Sequence, residues 1–155
     1  YADFQCPACA SYFPLVKMLS LEFNKDLRVV YRFFPLTTIH KNAMISAQAA
    51  YAAGKQNRFW EMHDKLFENQ NDWANLSDPK DTFFQYAKDL GLDLPKFKTD
   101  ATSSSTENFI KEAERSAKAL GVNSTPTFIL NGARIQNPRG YEAFKKIIQD
   151  EINKQ

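Results

Sequence analysis

The 155-residue chain holds two cysteines, and both lie in one tetrapeptide, Cys6-Pro7-Ala8-Cys9. Thiol chemistry needs a thiolate, and a cysteine at a helix N-terminus meets unpaired backbone N–H groups and the positive end of the macrodipole, which lower its pKa. Pro7 suits the first helical position, where no N–H is needed. The motif therefore predicts a helix opening at Pro7 with Cys6 at its mouth. Cys9, about one turn further on, can reach Cys6 to close a disulfide but sits deeper. This order predicts Cys6 as the exposed, low-pKa nucleophile and Cys9 as the resolving thiol, with Pro7 and Ala8 tuning the pair.

Other uses of two cysteines fit less well. A structural staple across a four-residue loop removes little chain entropy and so stabilises little. A zinc site would need His40 and His63 as the remaining ligands, and those two histidines form no closely spaced pair. Inert core cysteines would not be expected where a strand passes into a helix beside a proline. No metal is expected.

The elements that must position the motif follow from pattern. Tyr1-Ala2-Asp3-Phe4 reads as the last residues of a strand feeding the motif, so residues upstream of Tyr1, with any leader or anchor, are expected. Phe13, Val16, Leu19 and Phe23 give helical spacing from Pro7 to about Asn24, with a kink expected at Pro14. Leu27 to Phe34 is rich in β-branched and aromatic residues and stops at Pro35, which predicts a buried strand. Residues 38–120 read as almost entirely helical, with loops at Asn69 to Asp78 and Gly91 to Leu94 and a helix start in Thr102 to Thr106. Thr127 to Leu130, Asn131-Gly132 and Ala133 to Ile135 read as a β-hairpin on an Asn-Gly turn. Tyr141, Phe144, Ile147, Ile148 and Ile152 then mark the apolar face of a closing helix.

Composition limits the function classes. Thirteen Phe residues and 43% hydrophobic residues argue for a folded domain rather than a disordered chain. Twenty basic against 18 acidic residues leave a formal charge of +2, with no basic stripe, so nucleic acid is not an expected partner. No apolar run approaches the roughly 18 to 20 residues of a transmembrane helix.

Phe4-Gln5-Cys6-Pro7-Ala8-Cys9, together with Ser124-Thr125-Pro126-Thr127-Phe128 far downstream, resembles the DsbA-like branch of the thioredoxin superfamily. Phe34-Pro35-Leu36, His40, Asn42-Ala43, the run Phe59 to Phe67 and the Asn131-Gly132 hairpin followed by Tyr141 to Phe144 are similar to that branch too. The resemblance implies an α/β thioredoxin fold with a helical insertion: a core of residues 1–37 and 121–155 with a truncated first strand, interrupted by a helical subdomain at 38–120. It implies Cys6 and Cys9 as catalytic residues. It also implies a cis Thr125-Pro126 bond facing them, with Thr125 and Pro126 binding substrate. The activity implied is thiol-disulfide exchange without cofactor. It would act on reduced or unfolded exported proteins outside the cytoplasm, as a monomer reoxidised by a quinone-linked membrane protein. A reductase or isomerase, or a chaperone-like binding module, are the alternatives. Ala8 stands where some strongly oxidising relatives carry His.

Further residues are assigned from spacing. His63 falls on an apolar helix face and is expected to be a hydrogen-bonded core histidine. His40 is expected near the active face. Phe4, Phe34 and Leu36 are expected in the core or at an apolar lip, and Trp60 and Trp73 are expected to pack the helical block.

Overall fold

The computed structural model describes residues 1–154. Helix α1 (Pro7–Glu22) starts with Cys6 as its N-cap residue and Pro7 in its first turn, and it runs through Pro14. Leu19, on its buried side, and Phe23 just after it pack against Phe144 and Ile148 of the closing helix α8 (Tyr141–Ile152). Between α1 and Val122 in the chain lie α2 (Ala43–Gly54), α3 (Phe59–Glu68), α4 (Gln70–Trp73), α5 (Lys80–Asp89), α6 (Leu94–Ala101) and α7 (Ser104–Ala119).

The helical block is organised around α2. Its run of alanines leaves Ala43, Ala47, Ala49, Ala50, Ala52 and Ala53 buried, and small side chains let α3, α5, α6 and α7 all approach it. Trp73, Phe83, Phe97, Met62, Leu66 and Ile110 fill the space around it. The expected helix start in 102–106 is present, because the Ser103 side chain accepts from the Thr106 N–H at 3.2 Å. Within 69–78, expected as loop, α4 forms one short turn of helix that buries Gln70 and Trp73. Trp73 is fully buried with its indole N–H on the Leu66 carbonyl, whereas Trp60 packs one side of its ring against Phe59 and His63 and stays 45% exposed.

The sheet is small. Strands β1 (Phe128–Leu130) and β2 (Ala133–Ile135) pair antiparallel, with Leu130 opposite Ala133. Asn131 (φ 47°) and Gly132 (φ 85°) make the turn, which needs positive φ at both central residues; Asn and Gly adopt it at low steric cost.

Leu27 to Phe34 does not form the expected strand. It keeps an alternation, with Leu27, Val29, Tyr31 and Phe33 more buried than Arg28, Val30 and Arg32. Its only bridge, however, joins Phe33 to Ala2 in parallel through Ala2 N–H to Arg32 O (3.0 Å) and Phe34 N–H to Ala2 O (3.0 Å). A ladder needs a bonded neighbour along its length, and among the described residues this segment is bridged only at Phe33. Residues 27–32 border instead a largely apolar cavity of about 550 Å³ that also reaches Cys9, Phe128 and Ile148. Tyr1 completes the junction on the other side, exchanging N–H to O bonds of 2.8 and 3.0 Å with Thr127. The loop before β1 and the motif are thereby drawn to the same end of the sheet.

Candidate active site

Four segments meet at the cysteines: the turn Asp3 to Cys6, the loop Ser124 to Thr127, the stretch Leu36 to Asn42, and residues 70–76 of the helical block. The turn comes first. The Cys6 N–H donates to the Asp3 carbonyl at 3.1 Å, and the Gln5 N–H donates to Asp3 Oδ1 at 2.8 Å. Both bonds fold the chain tightly before α1, as short acidic side chains commonly do in turns. The block clamps this turn from outside. Gln70 Nε2 donates to the Phe4 and Cys6 carbonyls at 2.6 and 3.1 Å, and Gln5 Nε2 donates to the Ala74 carbonyl at 2.7 Å. Gln5 Oε1 in turn accepts from the Asn42 N–H at 2.6 Å, and buried Asn42 Nδ2 donates to the Leu76 carbonyl at 2.9 Å.

The two thiols are free in this structure and sharply different in character. The Cys6 thiol is pushed down to about 5, chiefly by the hydrogen bond from the Cys9 thiol. Burial opposes that shift, and the Thr125 side chain and the backbone N–H groups of Cys9 and Ala8 add to it. Those N–H groups are the unpaired donors of the first helical turn. Cys9 is pushed far the other way, first by its hydrogen bond to Cys6 and then by burial. One sulfur is held ready as a thiolate while its neighbour keeps the proton.

Cys6 departs from expectation in one respect. It is only 6% exposed, against 3% for Cys9, because the Thr125-Pro126 loop lies over it, with the Thr125 carbonyl 3.6 Å from its Sγ. The Thr125-Pro126 bond is cis and faces the pair. The Thr125 hydroxyl is buried and, among the described residues, has no hydrogen-bond partner. Pro126 is buried, whereas Pro7 and Ala8 face solvent beside the cysteines.

The histidines separate. His63 lies on α3 among the rings of Phe4, Phe13, Tyr31, Phe59, Trp60 and Phe67, with Nδ1 2.9 Å from Asp64 Oδ1. It is a hydrogen-bonded core residue. His40 reaches the motif, with Nδ1 2.6 Å from Asp3 Oδ2. Among the described residues no group of three or more His, Cys, Asp or Glu side chains could hold a metal ion. Sequence reasoning left out Asp3, Asn42 and Gln70 as site residues. An aspartate three positions before Cys6 is a turn signal that could have been read. Gln70 carried none, since its partners are carbonyls 64 and 66 residues away.

The family described as Thioredoxin matches residues 1–150. Over 148 residues the chain is 36% identical to a protein named Na(+)/H(+) antiporter NhaA 3 from Salinispora tropica, covering 96% of this chain. It is 37% identical over the same length to one named NhaA 1 from Salinispora arenicola. It spans only 22% of the length of either relative. Among solved structures, a thioredoxin-like oxidoreductase from Silicibacter pomeroyi superposes with a TM-score of 0.76 at 23% identity, over 99% of this chain and 83% of that one. The oxidoreductase DsbA from Xylella fastidiosa superposes with a TM-score of 0.73 at 17% identity, over 99% and 82%.

Proposed function

The chain belongs to the thioredoxin family and has the build of a DsbA-like thiol-disulfide oxidoreductase; within that class we propose that it is an oxidase, donating the Cys6–Cys9 disulfide to reduced exported proteins. The observation that carries this reading is the asymmetry of the pair, Cys6 lowered to about 5 and Cys9 raised. Stabilising the thiolate stabilises the reduced enzyme, and a disulfide whose reduced form is stabilised is a stronger oxidant.

The exchange balances in two steps. A substrate thiolate attacks Cys6 Sγ, forming a substrate–Cys6 bond and breaking the Cys6–Cys9 bond, whose electron pair goes to Cys9 and takes up a proton there. A second substrate thiolate then attacks the substrate's own sulfur in the mixed disulfide and expels Cys6 as a thiolate. The substrate is oxidised by two electrons and the enzyme is reduced by two. Cys6 leaves readily because the helix N-terminus, the Cys9 thiol and the Thr125 side chain already favour its anion. Thr125 and Pro126 take the role of substrate binding, the Thr125 backbone pairing with an extended substrate segment as the sulfurs meet.

In this reading the protein works as a monomer outside the cytoplasm and passes its two electrons to a membrane redox protein. Among the described residues no helix is long and apolar enough to cross a membrane. The test is oxidation of a reduced, unfolded protein substrate by the pre-oxidised enzyme, with glutathione setting the redox poise. Rapid stoichiometric oxidation, abolished by Cys6→Ser, is expected. Preferential reduction of substrate disulfides would assign it as a reductase, and unchanged aggregation suppression by Cys6→Ser without any oxidation would favour a chaperone-like module.

A further inference from the structure

Asp3 is the residue that holds both cysteines. Its carbonyl accepts the Cys6 N–H at 3.1 Å, and its backbone acts to lower the pKa of Cys9 against the larger effects that raise it. Its side chain is 0% exposed, and each carboxyl oxygen has an assigned donor. Oδ1 takes the Gln5 N–H at 2.8 Å, while Oδ2 takes the Leu36 N–H at 3.0 Å and meets His40 Nδ1 at 2.6 Å. Only the last of these partners is a side chain. A buried carboxyl group is tolerated where donors compensate its lost hydration, and without His40 this one would keep only its two backbone donors.

His40 is itself built into the site. Its N–H donates to the Leu36 carbonyl at 2.9 Å and its carbonyl accepts the Ala43 N–H at 3.1 Å, at the start of α2. Its side chain is 16% exposed. The imidazole therefore ties the front of the helical block to the turn that carries Cys6. The titratable groups coupled to this cluster are the two cysteines, the Tyr31 hydroxyl, whose pKa is raised first by burial and then by Cys9, Asp3 and Cys6, and the Tyr1 amino group, which interacts with Cys9.

We infer that His40 is a positioning residue for the thiol chemistry, acting through Asp3: it orients and compensates the buried carboxylate, and so aligns Cys6 with the donors of the first turn of α1. The inference rests on Cys6 being the attacking thiol of the proposed exchange. It does not depend on which direction the enzyme runs.

The experiment titrates the Cys6 thiolate by its ultraviolet absorbance and measures the glutathione equilibrium of the disulfide, in the wild-type chain, His40→Phe, His40→Gln and Asp3→Asn, and in His40→Phe combined with Asp3→Asn. His40→Phe keeps the bulk and removes the donor. It should raise the Cys6 pKa by about 0.5 to 1, a shift of roughly threefold to tenfold in the thiolate equilibrium, and move the glutathione equilibrium toward a less oxidising disulfide. His40→Gln, which keeps a donor, should restore most of the shift. In the Asp3→Asn background His40→Phe should add nothing further, since the residue it acts through has lost its charge. A His40→Phe protein that loses thermal stability while its Cys6 pKa and glutathione equilibrium stay at wild-type values would overturn the inference. So would equal effects of His40→Phe with and without Asp3→Asn. Should His40→Phe not fold, His40→Gln compared with Asp3→Asn carries the same decision. A failed oxidase assay with these shifts intact would count against the proposed direction alone.

Discussion

Replacing Thr125 with Val removes one oxygen and changes little else in shape. The Thr125 hydroxyl is buried, has no hydrogen-bond partner among the described residues, and its side chain contributes to the lowered pKa of Cys6. It is thus a donor that finds its acceptor when Cys6 is a thiolate. Hydrogen bonds to charged groups contribute about 1.5 to 3 kcal/mol. The Cys9 thiol and two helix N–H groups still serve the same sulfur, so the lower end of that range applies. One pKa unit corresponds to about 1.4 kcal/mol. Thr125→Val should then raise Cys6 from about 5 by roughly one unit. Its reduced form loses the same stabilisation, so the disulfide becomes less oxidising, by up to about 30 mV for a two-electron couple. The oxidised protein should keep or gain stability, because a buried hydroxyl without a partner has been removed. Thiolate absorbance against pH, the glutathione equilibrium and thermal melts of both redox forms are the assays. A Cys6 pKa unchanged within about 0.2 of a unit would refute the assignment of this hydroxyl as a thiolate donor. A lowered pKa would refute it more strongly.

Three further outcomes follow from the same geometry. Cys9→Ser should accumulate mixed disulfides through Cys6 that do not resolve, while Cys6→Ser should trap almost none; equal trapping, read by mass spectrometry, would remove the division of roles. In the reduced protein Cys6 lies below its ordinary value of 9.0, at about 5, so its stabilisation is fully present above pH 9 and is lost as pH falls through 5. The stability of the reduced form relative to the oxidised form should accordingly shrink from pH 9 to 5 in denaturant titrations, and a margin constant across that window would contradict the lowered pKa. Trp73→Ala empties a fully buried site in the helical block and should cost about 3 to 5 kcal/mol, visible as a lower urea midpoint, whereas Trp60→Ala at its half-exposed site should cost far less.

Local signals in the chain were enough for some of this arrangement. Cys6-Pro7-Ala8-Cys9 placed a reactive thiol at a helix mouth because Pro at the first helical position and the unpaired N–H groups there are properties of neighbouring residues alone. The Asn131-Gly132 turn and the apolar face of α8 were legible for the same reason, since turn chemistry and helical period act over a few residues. The cis Thr125-Pro126 bond was expected only through resemblance to a family. Leu27 to Phe34 shows where local pattern stops: the alternation of a strand is present, but pairing depends on which backbone lies alongside, and among the described residues it is bridged only to Ala2. Trp60 and Trp73 are alike in type and opposite in burial, because which side of a short helix meets the core is decided by packing. The clamp on the motif belongs wholly to tertiary structure. Gln70, Asn42 and His40 are 64, 36 and 34 positions from Cys6, and they come to the turn because the helical block folds back over it. Hydrogen bonds that close over such distances leave no periodicity in the sequence; the buried carbonyls and the Asp3 carboxylate select their donors only once the chain has brought them together.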